Sequence, residues 1–317
     1  MQYDLIGDIH GHADKLEALL RGMGYVPEGR GYRAPQDHQA VFLGDLIDRG
    51  PAQLRVLEIV RSMVERGQAL CVMGNHEFNA IGFVSDDPRV AGEALRANRL
   101  DSPKARQNRA QHAEFLAQVG EGSAQHRDWV EWFRSLPLYL DLGGIRAVHA
   151  SWDPAAVALV EQAYWDGARR RMSDAFLNGS YVKGSPLEAA RKRLSCGLEW
   201  DLPDGQHIVD KAGHKHGEVR IADWRHAASR LREVALVPAG QEDGVPDIDL
   251  PAELALRPVE GAPVCIGHHW FAGQPVIESP KLVCLDWSAA KDGPLVGYQW
   301  AGEAELRNDH LVWVDGR

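Results

Sequence analysis

Three short clusters near the start of the chain combine carboxylates, imidazoles and glycines. They are Gly7-Asp8-Ile9-His10-Gly11, Gly44-Asp45-Leu46-Ile47-Asp48-Arg49-Gly50-Pro51 and Gly74-Asn75-His76-Glu77. Carboxylate oxygen and imidazole nitrogen are donors for first-row divalent metals, and no thiolate stands among them. Asp8 and His10 are two residues apart, so in extended chain both side chains point to one side, as two ligands of one ion require. Each cluster also has a plainer reading. Asp8-x-His10 fits a turn, the second cluster fits a polar loop with a capping Asp, and Asn75 suits a helix N-cap. Together, each behind a buried strand, the three clusters favour chemistry.

The elements that position them can be read from periodicity. Tyr3–Ile6, Ala40–Leu43 and Ala69–Met73 are apolar runs of strand length, and each runs directly into one cluster. Between them Leu16, Leu19, Leu20 and Met23, then Val56, Ile59, Val60 and Met63, recur at helical spacing. Strand–helix–strand at this spacing predicts right-handed crossovers and neighbouring parallel strands. The carboxyl ends of such strands form the crevice in which α/β folds bind ligands, so the clusters should meet in space. Glycines before Asp8, Asp45 and Asn75 let the backbone turn out of the sheet.

Further along, Phe115, Leu116 and Val119, then Trp129, Trp132, Phe133 and Leu136, predict two more helices. Leu138–Leu142 and Ile145–Val148 flank Gly143-Gly144 as a hairpin. The five prolines between Pro238 and Pro263 predict an irregular surface segment. Strand-like runs follow at Val264–Ile266, Leu282–Leu285, Leu295–Tyr298 and Leu311–Trp313.

Composition narrows the function classes. The 317 residues are 44% hydrophobic and 25% charged, ordinary for a globular chain able to bury a large core. Disorder and a small disulfide scaffold are excluded. With 35 Lys and Arg against 45 Asp and Glu, the net charge is −10, which argues against general nucleic-acid or anionic-membrane binding. No apolar run approaches the ~20 residues that span a bilayer. The first residues carry no basic or apolar leader, and Cys71, Cys196, Cys265 and Cys284 form no C-x-x-C pair. The expectation is a cytoplasmic protein with reduced core thiols.

The three clusters, in this order and each behind a strand, resemble the signature of the calcineurin-like metallophosphoesterases. The intact Asp48-Arg49-Gly50 and the Gly74-Asn75-His76-Glu77 are similar to the phosphoprotein-phosphatase branch and its bacterial relatives. The resemblance implies an α/β fold, a two-sheet β-sandwich flanked by helices in four αββα layers. It is expected as one domain over 1–317 with insertions at about 85–125 and 155–262. It also implies two divalent metal ions. Asp8, His10 and Asp45 would hold the first, and Asp45, Asn75, His149 and His268 the second, with Asp45 bridging. The donor set suits Mn²⁺ first, then Fe or Zn²⁺. His268 is preferred to His214 or His216 because it ends an apolar strand, whereas the other two stand in a polar stretch.

The same resemblance implies hydrolysis of a phosphomonoester by a hydroxide bridging the two ions. The expected substrate is a phosphoprotein, phosphorylated on Ser or Thr, or a small phosphoester. Arg49 would fork onto the phosphate, His76 would act as general acid, and Asp48 would fix the His76 tautomer. Asn75, Arg191 and Arg193 are further substrate-binding candidates. The alternatives are a dinucleoside polyphosphate hydrolase, a nucleotide or nucleic-acid phosphatase, and a non-catalytic metal-binding scaffold.

Overall fold

The computed structural model describes residues 1–167, 170–203, 205–209, 215–238, 240–254 and 256–315. The first part runs β1 (Gln2–Ile6), α1 (Ala13–Gly22), β2 (Val26–Glu28), β3 (Gly31–Arg33), β4 (His38–Phe42), α2 (Gln53–Glu65), β5 (Ala69–Cys71) and α3 (Asn75–Val84). Then come α4 (Pro103–Val119), α5 (Ala124–Phe133), β6 (Tyr139–Asp141), β7 (Arg146–Val148), α6 (Pro154–Ala163), α7 (Asp174–Gly179) and α8 (Pro186–Cys196). The rest is β8 (Leu198–Asp201), β9 (Ile208–Val209), β10 (Lys215–His216), β11 (Glu218–Ile221), α9 (Leu231–Val234), β12 (Ala235–Leu236), β13 (Val264–Ile266), β14 (Leu282–Cys284), β15 (Leu295–Trp300) and β16 (Leu311–Val314).

Two sheets carry the architecture. One has the order β16-β15-β1-β4-β5, the other β14-β13-β7-β6. In the first, β1, β4 and β5 are parallel, as the strand–helix–strand spacing predicts, and β15 closes antiparallel on β1. In the second, β7, β13 and β14 are parallel, and β6 and β7 form the expected hairpin.

Alternation along the strands explains why the sheets stack. Leu5, Val41, Ala147, Cys265, Val283, Val296 and Tyr298 point into one shared apolar slab between the sheets. Their neighbours Ile6, Phe42, Val148, Ile266 and Cys284 point the other way, into a shell with Leu16 and Leu20 of α1, Val56 and Val60 of α2, Val160 of α6 and Leu194 of α8. Side chains of period two thus feed two cores at once, which gives helix, sheet, sheet, helix.

The two long segments that interrupt this pattern differ. In 85–125, α4 has Ser102 as N-cap and buries Phe115 and Val119 in the main outer shell. In 155–262, α6, α7 and α8 also join that shell, but residues beyond them build a small core of their own. Leu202, Val219, Ile221, Leu231, Val234 and Leu254 pack there, around a three-stranded sheet of order β12-β11-β8. In the proline-rich segment 238–263, residues 242–244 form one 3-10 turn and the other described residues form no strand or helix, but Val245 and Leu254 are buried in the small core, so the segment is not all surface as expected. No helix among the described residues is long and apolar enough to cross a membrane.

The sheets touch closely where β1 ends. A Cβ on Gly7 would lie 2.1 Å from the Leu285 carbonyl oxygen. Gly7→Ala should therefore push the sandwich open at this end and destabilise the fold by about 1–3 kcal/mol. A denaturant midpoint equal to that of the unaltered chain would contradict this packing.

Candidate active site

The three early clusters and two later strand ends meet in one cavity. Its lining is Asp8, His10, Asp45, Arg49, Asn75, His76, Arg220, His268, Trp270 and Asp286. The backbone there is unusual. His10, Asp45, Asp48, Arg49, His268 and Trp270 all have positive φ, between 39° and 76°. Left-handed conformations cost energy in residues with a Cβ, and they persist where surrounding structure over-determines them.

Much of that surrounding structure is hydrogen bonding to the loops. Glu77, in the first turn of α3, accepts from the Gly74 and Asp45 N–H groups at 2.9 Å each and from the Leu46 N–H at 2.8 Å. One buried carboxylate thereby clamps the loops after β4 and β5 together. Burial and then the Asp45 charge push its pKa up to about 7. A Cβ on Gly74 would lie 2.2 Å from Asp45 Oδ1, so only glycine fits.

Asp45 is the centre. Its Oδ2 lies 3.6 Å from His10 Nε2 and 3.8 Å from His76 Nε2. Its Oδ1 lies 3.3 Å from His149 Nε2 and accepts from the His76 backbone N–H at 3.1 Å. That N–H is one of the free donors at the N-terminus of α3. The donor atoms of His10, Asp45 and His76 fall within 4.8 Å of one another, and so do those of Asp45, His149 and His268. Two clusters thus share one carboxylate.

Several imidazoles present a chosen nitrogen. His10 Nδ1–H donates to the Ile47 carbonyl at 2.8 Å and His149 Nδ1–H to the Leu43 carbonyl at 2.6 Å, so each turns Nε2 inward. Asn75 Oδ1 stands 3.1 Å from His149 Nε2 and 2.9 Å from His268 Nδ1. Asn75 is the first residue of α3, behind a Gly74 N-cap, so its amide serves the cavity and not the helix end. Asp8 accepts from the His268 backbone N–H at 3.1 and 3.2 Å. It lines the same cavity, although the triplet of closest donors contains His76 in its place.

This crowd fits a bound cation. Asp45 Oδ1, Asn75 Oδ1 and His149 Nε2 are buried acceptors around one point, and the only ring N–H of a neutral His149 is already committed to Leu43. A cation at that point would satisfy all three. Burial opposes charge on His149, but the Asp45 and Asp8 carboxylates outweigh it and raise its pKa to about 10. His10, by contrast, is pushed down to about 3 by burial and Arg49, and His268 is lowered by burial and Arg220. Neutral imidazoles are the form that ligates metal.

Beside these atoms, His76 Nδ1 meets Asp48 Oδ2 at 2.5 Å. Asp45 and Asp48 raise the His76 pKa against the opposing effect of burial. Arg49 opens onto the same cavity as Asp286, and the two charges interact.

The other predicted arginines are elsewhere. Arg191 is buried with its guanidinium 5.0 Å from the Phe78 ring and 6.0 Å from that of Tyr181, outside the cavity lining. Arg193 pairs with Asp223 at 3.1 Å and Asp153 at 3.7 Å, and lines a separate cavity of about 300 Å³. Neither reaches the cavity, because packing and carboxylate partners hold both. The second arginine in the lining is Arg220 of β11, which donates to the His268 carbonyl at 2.7 Å and lies 5.6 Å from the Trp270 ring. Its signal was the alternation of Glu218-Val219-Arg220-Ile221, which buries Val219 and Ile221 and turns Arg220 to the opposite side. Asp286, also missed, follows a buried strand as the early clusters do, and accepts from the Trp270 and Ser288 N–H groups. His214 lies outside the described residues, and His216 is described only as backbone of β10. His269, adjoining His268, is buried and turned away, its Nε2–H on the Ala150 carbonyl.

A family model described as calcineurin-like phosphoesterase matches residues 1–193, which covers every early cluster and His149. The chain belongs to that family. Two curated relatives are both bis(5'-nucleosyl)-tetraphosphatases PrpE of the asymmetrical type. The one from Bacillus velezensis is 43% identical over 153 residues, 47% of this chain and 56% of that protein. The one from Oceanobacillus iheyensis is 28% identical over 150 residues, 47% of this chain and 55% of that protein. This phosphoesterase-family chain therefore spans about half the length of the curated relatives it matches. Among solved structures, a protein serine/threonine phosphatase from Saccharomyces cerevisiae is similar, with TM-score 0.46 and 15% identity, over 100% of this chain and 79% of that one.

Glu77 gives this subsection its test. Glu77→Gln keeps the size but turns an N–H group toward backbone donors that need an acceptor. The expected loss is about 1–3 kcal/mol, read as a lower denaturant midpoint. An unchanged midpoint would mean that Glu77 is not the clamp of these loops.

Proposed function

We propose that this chain is a binuclear metal-dependent phosphoesterase that hydrolyses phosphomonoesters. The observation that carries the reading is Asp45, whose two oxygens face two separate imidazole groups, with His76 tied to Asp48 on the same cavity. Asp8, His10 and Asp45 would hold one divalent ion, and Asp45, Asn75, His149 and His268 the other. Nitrogen and oxygen donors without thiolate favour Mn²⁺, with Fe or Zn²⁺ as alternatives. When bound, such a pair of ions lowers the pKa of water and neutralises phosphoryl charge.

The side chains supply the rest. Arg49 and Arg220 enter the cavity from opposite parts of the fold and grip the non-bridging phosphate oxygens. Asp48 accepts from His76 Nδ1–H, so the acidic proton of the charged ring sits on Nε2, facing the cavity. As a water oxygen, giving up one proton to solvent, bonds to phosphorus and the ester P–O bond breaks, the ring proton passes from Nε2 to the leaving oxygen. Phosphoserine or phosphothreonine in a protein fits an acid of this kind, because an alkoxide leaves poorly without a proton.

A second reading, hydrolysis of dinucleoside polyphosphates, is favoured by the names of the curated relatives. Phosphopeptides, diadenosine tetraphosphate and 3′-phosphorylated oligonucleotides assayed side by side separate the two. A kcat/KM at least tenfold higher on the tetraphosphate would replace the first reading with the second.

Two variants test the chemistry. Asp45→Asn should lower bound metal below two ions per chain, measured by elemental analysis, and nearly abolish turnover while the fold persists. Full activity with two ions bound would overturn the shared-carboxylate reading. His76→Ala should lower kcat by ~10²–10⁴ on an alkyl phosphate and far less on p-nitrophenyl phosphate, whose leaving group needs no proton. Equal losses on both would remove His76 from the acid role.

A further inference from the structure

We propose that His112, on α4 in the 85–125 segment, is a positioning residue that acts on His76 through Asp48. The inference rests on the acid role argued for His76 above.

Asp48 has two carboxylate oxygens and both are taken by histidines. Oδ2 meets His76 Nδ1 at 2.5 Å, and Oδ1 meets His112 Nδ1 at 2.8 Å. The Asp48 backbone N–H is fixed as well, on Gln53 Oε1 at 2.9 Å. The carboxylate is therefore held at two points and the residue at three, and only the His76 contact faces the cavity. Without the His112 contact it could rotate about its terminal bond and release the His76 ring.

His112 is built to hold that position. It is 4% exposed, with the rings of Phe83 and Phe115 centred 5.1 and 4.9 Å from its own. Phe115 belongs to the main outer core, so the cage cannot shift without the helix. An apolar side chain would fill this cage at lower desolvation cost, so packing alone gives no reason for an imidazole. The reason lies in its donor. A carboxylate can only accept, so His112 carries its proton on Nδ1. Its Nε2 is buried without a hydrogen-bond partner among the described residues, so the contact to Asp48 is the polar tie of this ring. With donors on both oxygens Asp48 stays an anion: their hydrogen bonds hold its pKa below the usual carboxylate range although burial opposes this. An anionic, immobile Asp48 fixes the His76 tautomer and leaves the acidic proton on Nε2.

The test uses the full chain loaded with Mn²⁺ and two substrates, an alkyl phosphate and p-nitrophenyl phosphate. His112→Phe fills the cage but donates nothing. It should lower kcat on the alkyl phosphate by about tenfold or more, with KM and metal content little changed, and affect p-nitrophenyl phosphate much less. His112→Asn places an amide N–H where Nδ1–H was and should restore most of the loss, whereas His112→Gln, whose amide reaches further, should not. In the metal-free protein, the NMR signal of the His76 Nδ1 proton should shift in His112→Phe and return in His112→Asn. Equal losses on both substrates, no loss, or no rescue by Asn would overturn the proposal. If His112→Phe does not fold, the Asn and Gln variants decide alone. If His76→Ala shows no leaving-group dependence, the acid reading fails first. If it does and His112→Phe does not, only the role of His112 is lost.

Discussion

Buried acceptor atoms brought together need donors or positive charge between them, and around Asp45 this fold gathers two such groups. One carboxylate faces His10 and His76 with one oxygen and His149 with the other. In a low-dielectric interior a cation is the most effective way to complete such a group. The left-handed backbone at Asp45, the Glu77 clamp and the glycine at position 74 are the means of keeping it together.

The same ties join the two sheets. Asp8 follows β1 of one sheet and takes the His268 N–H from the other, while His149 follows β7 and gives its Nδ1–H to Leu43 behind β4. The site is a polar seam at one end of an apolar slab. Asp8, His10, Asn75, His76 and His149 each have a partner that fixes rotamer or tautomer, so much of the geometry is set before any ligand arrives. Distortion of the sandwich at this end would reach both candidate metal-ligand groups together.

Much of this was legible in the sequence because it is local. Strands ending in Gly-Asp or Gly-Asn declare themselves by alternation and by the glycine, and the parallel order follows from the helices between them. The apolar run before His268 leads into the cavity lining, whereas His214 lies outside the described residues. What escaped is what tertiary packing decides. Arg191 and Arg193 looked like phosphate clamps, but the rings of Phe78 and Tyr181 hold the first and the carboxylates of Asp153 and Asp223 hold the second. Arg220 hid in a short strand of a mixed region, and Asp286 behind a strand whose end was not read for chemistry. His112 sits among polar helix residues, where nothing in the spacing points to Asp48, some sixty residues away.

The small sheet that carries Arg220 has its own apolar core, apart from the slab and shell that hold the metal-ligand candidates. Among the described residues, the Arg220 guanidinium is the group that crosses from that unit to the cavity lining. The candidate metal ligands, by contrast, hang from the strand ends of the two main sheets. A shift of the small core would therefore move one positive charge at the edge of the cavity while Asp8, Asp45 and His149 kept their places.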